Sequence, residues 1–85
     1  MKGTRKEPDA DGNLNLKPGE YGKHGRDGNW YCCPPGREDW FIGNLQAHQV
    51  TEHEDGTITA APSILIKSWN GTWHGYLERG VFREV

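Results

Sequence analysis

The chain has 85 residues and a net charge of −2, and only 33% of it is hydrophobic, against 12 glycines and 5 prolines. That length makes one domain with a slender core, which the four tryptophans offset through the large area each one buries. The mild negative charge excludes a partner held by backbone phosphate charge, so no nucleic acid is expected. No apolar run reaches the roughly 18 residues of a membrane span, so no membrane is expected either.

Residues 1–18 are polar and interrupted by Pro8, Gly12, Asn13, Asn15 and Pro18. They read as a flexible, disordered N-terminal arm, in which the alternating Leu14 and Leu16 can dock as an edge strand. The opening MKGTRKEPDADG lacks the apolar core of a signal peptide, which makes the expected location cytoplasmic. Residues 19–85 read as one small β domain. Residues 18–29, with four glycines, read as loop. Asp27-Gly28 then introduces a short strand over Trp30, Tyr31, Cys32 and Cys33. The adjacent cysteines are read as reduced thiols rather than a disulfide. Residues 34–39 form a further turn. Trp40-Phe41-Ile42 seeds another strand, turned by Gly43-Asn44, and residues 43–49 are the one place for a helical turn.

The remainder alternates threonine, isoleucine and aromatic residues between three turn signals, Asp55-Gly56, Asn70-Gly71 and Arg79-Gly80. No helical periodicity, internal repeat or low-complexity run is present. The expected fold is all-β: a small antiparallel meander forming a half-barrel or a single curled sheet.

An Asp-Gly or Asn-Gly pair is a strong signal for a two-residue hairpin loop. With Asp55-Gly56 as such a loop, His53 faces Ile58, Val50 faces Ala61 and His48 faces Ser63. With Asn70-Gly71 as the next, Lys67 faces His74, Leu65 faces Tyr76 and Ser63 faces Glu78. One face then carries Ile58, Ile64, Ile66, Trp73 and Leu77 and reads as core. The other carries His48, Val50, Glu52, Ser63, Leu65, His74, Tyr76 and Glu78. Opposed residues on one face have Cβ atoms about 5 Å apart, which brings His48 within reach of Ser63. His74 falls roughly 13 Å away at strand rise.

Pro62-Ser63-Ile64-Leu65, His74-Gly75-Tyr76-Leu77 and Arg79-Gly80-Val81-Phe82 together resemble a family of small phage and bacterial proteins with a PSIL-type serine segment and a histidine-led strand. That family is similar to the BubE-type peptidases of bacterial ubiquitin-like operons. The resemblance implies a phage-type protein with a serine-dependent peptidase activity on a protein tail, and it falls on Ser63 and His74, with His48 and Glu52 as nearby polar candidates. Relatives carry cysteines one or two residues apart early in the chain and another just before the histidine. Here the first pair is adjacent, Cys32-Cys33, and Trp73 holds the second place, so a shared metal or thiol site is not carried over.

The candidate catalytic residues are therefore Ser63 as nucleophile, His48 or His74 as its base, and Glu52 or Glu78 to orient the imidazole. A serine hydroxyl is a weak nucleophile without an adjacent base, and the base needs its tautomer fixed. The plainer reading is a serine that bonds backbone after a proline, beside half-exposed sheet histidines. His53 sits on the core side and His24 in a glycine loop, and neither is given a role. One cysteine and two histidines would suffice for zinc, but neighbouring strand residues point to opposite faces and no C-x-x-C spacing exists, so no metal and no cofactor is expected. Asn70-Gly71-Thr72 matches a glycosylation sequon and reads as a turn. The leading expectation is a hydrolase whose protein substrate lies as an added strand along a sheet edge. The alternative is a non-catalytic module that binds and blocks a host protein through tryptophans and acidic residues.

Overall fold

The computed structural model describes residues 1–35, 42–68 and 71–85. The expected turn at 34–39, the strand seed Trp40-Phe41 and the first half of the Asn70-Gly71 turn fall largely or wholly outside these. Among the described residues there are eight strands: β1 (Thr4–Arg5), β2 (Glu20–Lys23), β3 (Trp30–Cys33), β4 (Gly43–Asn44), β5 (Gln49–Glu52), β6 (Ile58–Ser68), β7 (Gly71–Glu78) and β8 (Val81–Glu84). None of the described residues is helical, and no helix is long and apolar enough to cross a membrane.

The all-β meander is as the turn spacing predicts, but it divides into two four-stranded sheets, ordered β1-β2-β3-β4 and β5-β6-β7-β8. Among the described strands only the β1–β2 pair is parallel. The core lies between the sheets. Tyr21 and Cys32 from one meet Ile58, Ile64, Ile66, Trp73, Leu77 and Phe82 from the other, all buried. Three aromatics run across the seam, with Phe82 edge-on to Tyr21 at 6.3 Å and to Trp73 at 6.2 Å. The inward residues of β6 and β7 are those that alternation predicts.

The first 18 residues, expected to be a flexible, disordered arm, are mostly irregular but are tied down at several points. Thr4–Arg5 pairs with β2, Leu16 is buried, and the Met1 ammonium and carbonyl both bond Phe82 at 2.7 Å. Met1 to Gly3 thus run along β8 while Thr4 and Arg5 join the other sheet, so this segment links the two. Residues 20–23 form β2 rather than a loop. Gly22 is needed there, because a Cβ would come within 2.3 Å of the Lys6 carbonyl oxygen. Gly43-Asn44, expected to turn the chain, is a short strand paired with β3. The turn comes later, where the His48 N–H donates to the Leu45 carbonyl at 2.9 Å.

Turn chemistry sets the registers. Arg79 and Gly80 both have positive φ, at 46° and 76°, the type I′ requirement for a two-residue hairpin, and Glu78 pairs with Val81. The β5–β6 loop differs from expectation. Its residues are Glu54, Asp55 and Gly56, closed by the His53 N–H donating to the Thr57 carbonyl at 2.8 Å. Gly56 takes the left-handed position with φ 87°, as in a three-residue hairpin.

Candidate functional site

A third loop residue slips β5 by one position, and a one-residue slip exchanges faces. Val50 now faces Ala60, not Ala61, and packs on the core. His48 leaves the Ser63 row. His53, expected opposite Ile58 and turned inward, instead bonds the Thr59 hydroxyl at 2.7 Å.

The β6–β7 register is offset by two residues from expectation, with Ser68 opposite Gly71 and Leu65 opposite His74. A shift of two keeps every side chain on its face. Near the serine, β6 advances from Ala60 to Ile64 while β7 covers only Leu77 to Gly75. Ala61, Pro62 and Ser63 thus form a bulge, with a cis peptide before Pro62. Bulges re-aim side chains, and this one tips Ser63 diagonally towards His74.

The result reverses the expected pairing. His74 Nε2 lies 3.1 Å from Ser63 Oγ, whereas His48 Nε2 lies 3.1 Å from the Ser63 carbonyl oxygen. A carbonyl only accepts, so His48 carries its proton on Nε2 and donates it there. Its Nδ1 is buried and has no hydrogen-bond partner among the described residues. His48 therefore grips the backbone of Ser63, and His74 alone of the two meets its hydroxyl. His74 is exposed and Ser63 half-buried. The hydroxyl can donate to a neutral His74 Nε2, the arrangement in which an imidazole takes up a serine proton.

Neither expected carboxylate joins them. Glu78 accepts from Arg83 Nη2 at 2.8 Å, and the Arg83 guanidinium also lies 4.6 Å from the centre of the Tyr76 ring. Glu52 accepts from Arg5 Nη1 at 2.6 Å, on the far side of the hairpin. Among the described residues no carboxylate bonds either imidazole, so the row His48–Ser63–Glu78 is replaced by a Ser63–His74 pair with His48 behind it. Leu65 was placed on this face but given no role. It lies directly across from His74 and is 53% exposed.

The thiols lie on β3, in the sheet that does not carry Ser63. Both cysteines are fully buried. Burial first, and then the neighbouring Cys33, push the Cys32 thiol up to about 12. Burial and Glu20 push Cys33 up to about 11. Among the described residues no three His, Cys, Asp or Glu side chains are grouped to hold a metal. His24 accepts the Arg26 N–H on Nδ1 at 3.1 Å and packs beside Tyr31 at 5.9 Å. Both line an open pocket of about 380 Å³ with Leu14, Leu16 and Ile42, on the sheet that does not carry Ser63.

Comparison with family models, with curated proteins and with solved structures gives no match.

Proposed function

We propose that the protein is a small serine-dependent hydrolase that cleaves an amide bond in a protein tail, with Ser63 as nucleophile and His74 as its base. The observation that carries this reading is the 3.1 Å contact between His74 Nε2 and Ser63 Oγ on an exposed strand face. His74 takes the hydroxyl proton as Ser63 attacks the carbonyl carbon, then gives it to the leaving amine. Water repeats the cycle on the acyl-enzyme. The site works as a dyad, since Glu52 and Glu78 are held by Arg5 and Arg83. His48 is a positioning residue that holds the Ser63 carbonyl. The resemblance to BubE-type peptidases points to the same serine and to a phage or bacterial setting.

One observation favours a second reading, a silent protein-binding module. With both carboxylates engaged, nothing among the described residues orients His74 from behind, and Ser63 and His74 then serve as contact groups. Incubation with capped peptides, followed by mass spectrometry, separates the two. The hydrolase reading predicts product from the parent protein and none from Ser63→Ala. The absence of product from any peptide, together with capture of one host protein unaffected by Ser63→Ala, contradicts it.

A further inference from the structure

The direction of the backbone groups along β6 says where a substrate strand adds. The His74 carbonyl accepts the Val85 N–H at 2.9 Å, so the polar backbone groups of His74 face β8. Leu65, directly opposite His74, must then turn its own N–H and C=O away from β7, because an antiparallel ladder alternates in this way. The same alternation turns those of Lys67 outward. The Ser63 carbonyl lies on this outer side too, where His48 meets it. Strand β5 covers that side of β6 only from Ile58 to Ala61. Among the described residues no strand pairs with this side of β6 beside Leu65 and Lys67. The outer edge of β8, by contrast, is occupied, since the Gly3 N–H donates to the Gly80 carbonyl and the Phe82 N–H to the Met1 carbonyl, both at 2.7 Å.

An unpaired stretch of sheet edge is a template for another strand. This one begins beside Ser63. Leu65 adds exposed apolar surface. Lys67 is an exposed cation with no ion pair among the described residues. At strand rise it lies about 13 Å from Ser63, or four residues of extended chain.

We infer that the β6 edge at Leu65 and Lys67 is the substrate-docking strand. An unstructured peptide adds beside it, bonded to the backbone of both residues, with an acidic side chain at Lys67 and its scissile carbonyl at Ser63. Backbone bonds supply affinity and the flanking side chains supply selection. The substrate is therefore a flexible acidic tail, with its acid about four residues from the bond cleaved. The alignment on Ser63 rests on the hydrolase reading, while the edge itself is tested by binding alone.

The probe is a set of capped, unstructured decapeptides with one Asp moved through each position, titrated into Ser63→Ala protein and followed by NMR amide exchange. Binding members should slow exchange of the Leu65 and Lys67 amides at least tenfold. Leu65→Pro removes an N–H that β7 does not use, a substitution tolerated on an edge, and should weaken binding at least tenfold. Leu65→Ala keeps that N–H and should lose less. Lys67→Glu should move the preference from Asp to Lys. N-methylation of alternate peptide amides repeats the test without altering the protein, so it decides the matter even where Leu65→Pro fails to fold. Methylation on the bonding side should abolish binding, and on the other side spare it. Perturbations mapping away from β6, equal effects of all N-methyl positions, or no binding by any peptide would overturn the inference. Edge protection without cleavage by the parent protein removes the reaction and keeps the edge. Cleavage indifferent to Leu65→Pro does the reverse.

Discussion

Both oxygens of Ser63 meet an imidazole, and the two contacts differ in kind. His48 donates to a carbonyl, which a glutamine amide can also do. His74 must take up the hydroxyl proton, which a glutamine amide cannot do, since its Oε1 accepts a hydrogen bond but is not basic. His48→Gln should therefore keep most activity, whereas His74→Gln should lose about 10²-fold or more, the usual contribution of a positioned base, measured as the rate of peptide cleavage. A second prediction concerns the thiols. With Cys32 held near 12 and Cys33 near 11, both stay protonated at pH 8, and thiolate is the reactive form. Iodoacetamide should leave both unmodified in the folded protein and alkylate both in denaturant, as read by mass. Ser63 and His74 were legible in the sequence as residue types beside turn signals. Their pairing was left open between His48 and His74: hairpin spacing favoured His48, and diagonal reach to His74 depends on a bulge at Pro62 whose extra residues leave the apolar alternation of Ile58, Ala60, Ile64 and Ile66 intact.

At the scale of elements, the β5–β6 loop decides which residues of β5 turn inward. Asp55 accepts the Thr57 hydroxyl at 2.6 Å and the Thr57 N–H at 3.0 Å, and these bonds, the hydroxyl first, hold its carboxyl below the usual range. A depressed carboxyl steadies the loop above its unfolded pKa, and that contribution is lost as pH falls through the lowered value. The Thr57 amide should exchange faster with falling pH than general unfolding explains, and Asp55→Asn should remove that pH dependence. Gly56→Ala places a Cβ at φ 87°, which should cost about 1 kcal/mol by urea denaturation. An Asp-Gly pair fits a two-residue or a three-residue loop, so sequence alone left the choice open, and the wrong choice moved Val50 and His48 to the wrong side. Arg79-Gly80 was legible only as a turn signal; its two-residue loop follows from the positive φ at both positions, which an arginine does not announce in sequence.

For the whole molecule, two small sheets share one core, and the aromatic series Tyr21, Phe82 and Trp73 crosses the seam. Trp73 is 1% exposed. Trp73→Ala should cost about 3–5 kcal/mol, set against a total of about 5–15 kcal/mol typical of a domain. Its urea midpoint should fall sharply, and both sheets should melt together. The inward positions of β6 and β7 were readable from period-two alternation. The second sheet was less so, because β1, β2 and β4 are short, rich in glycine and charge, and held by partners far along the chain, such as Met1 with Phe82. Strand β6, fixed at its centre by the shared core, carries Ser63 at its bulge, and among the described residues no strand pairs with its outer edge beyond Ala61.

The most direct test is the rate at which a fluorophosphonate labels Ser63, followed by intact mass and peptide mapping. Labelling is predicted in the parent protein, close to the parent rate in His48→Gln, and lower by about 10²-fold or more in His74→Gln. A parent protein that does not label at Ser63, or a His74→Gln protein that labels as fast as the parent, would contradict the account.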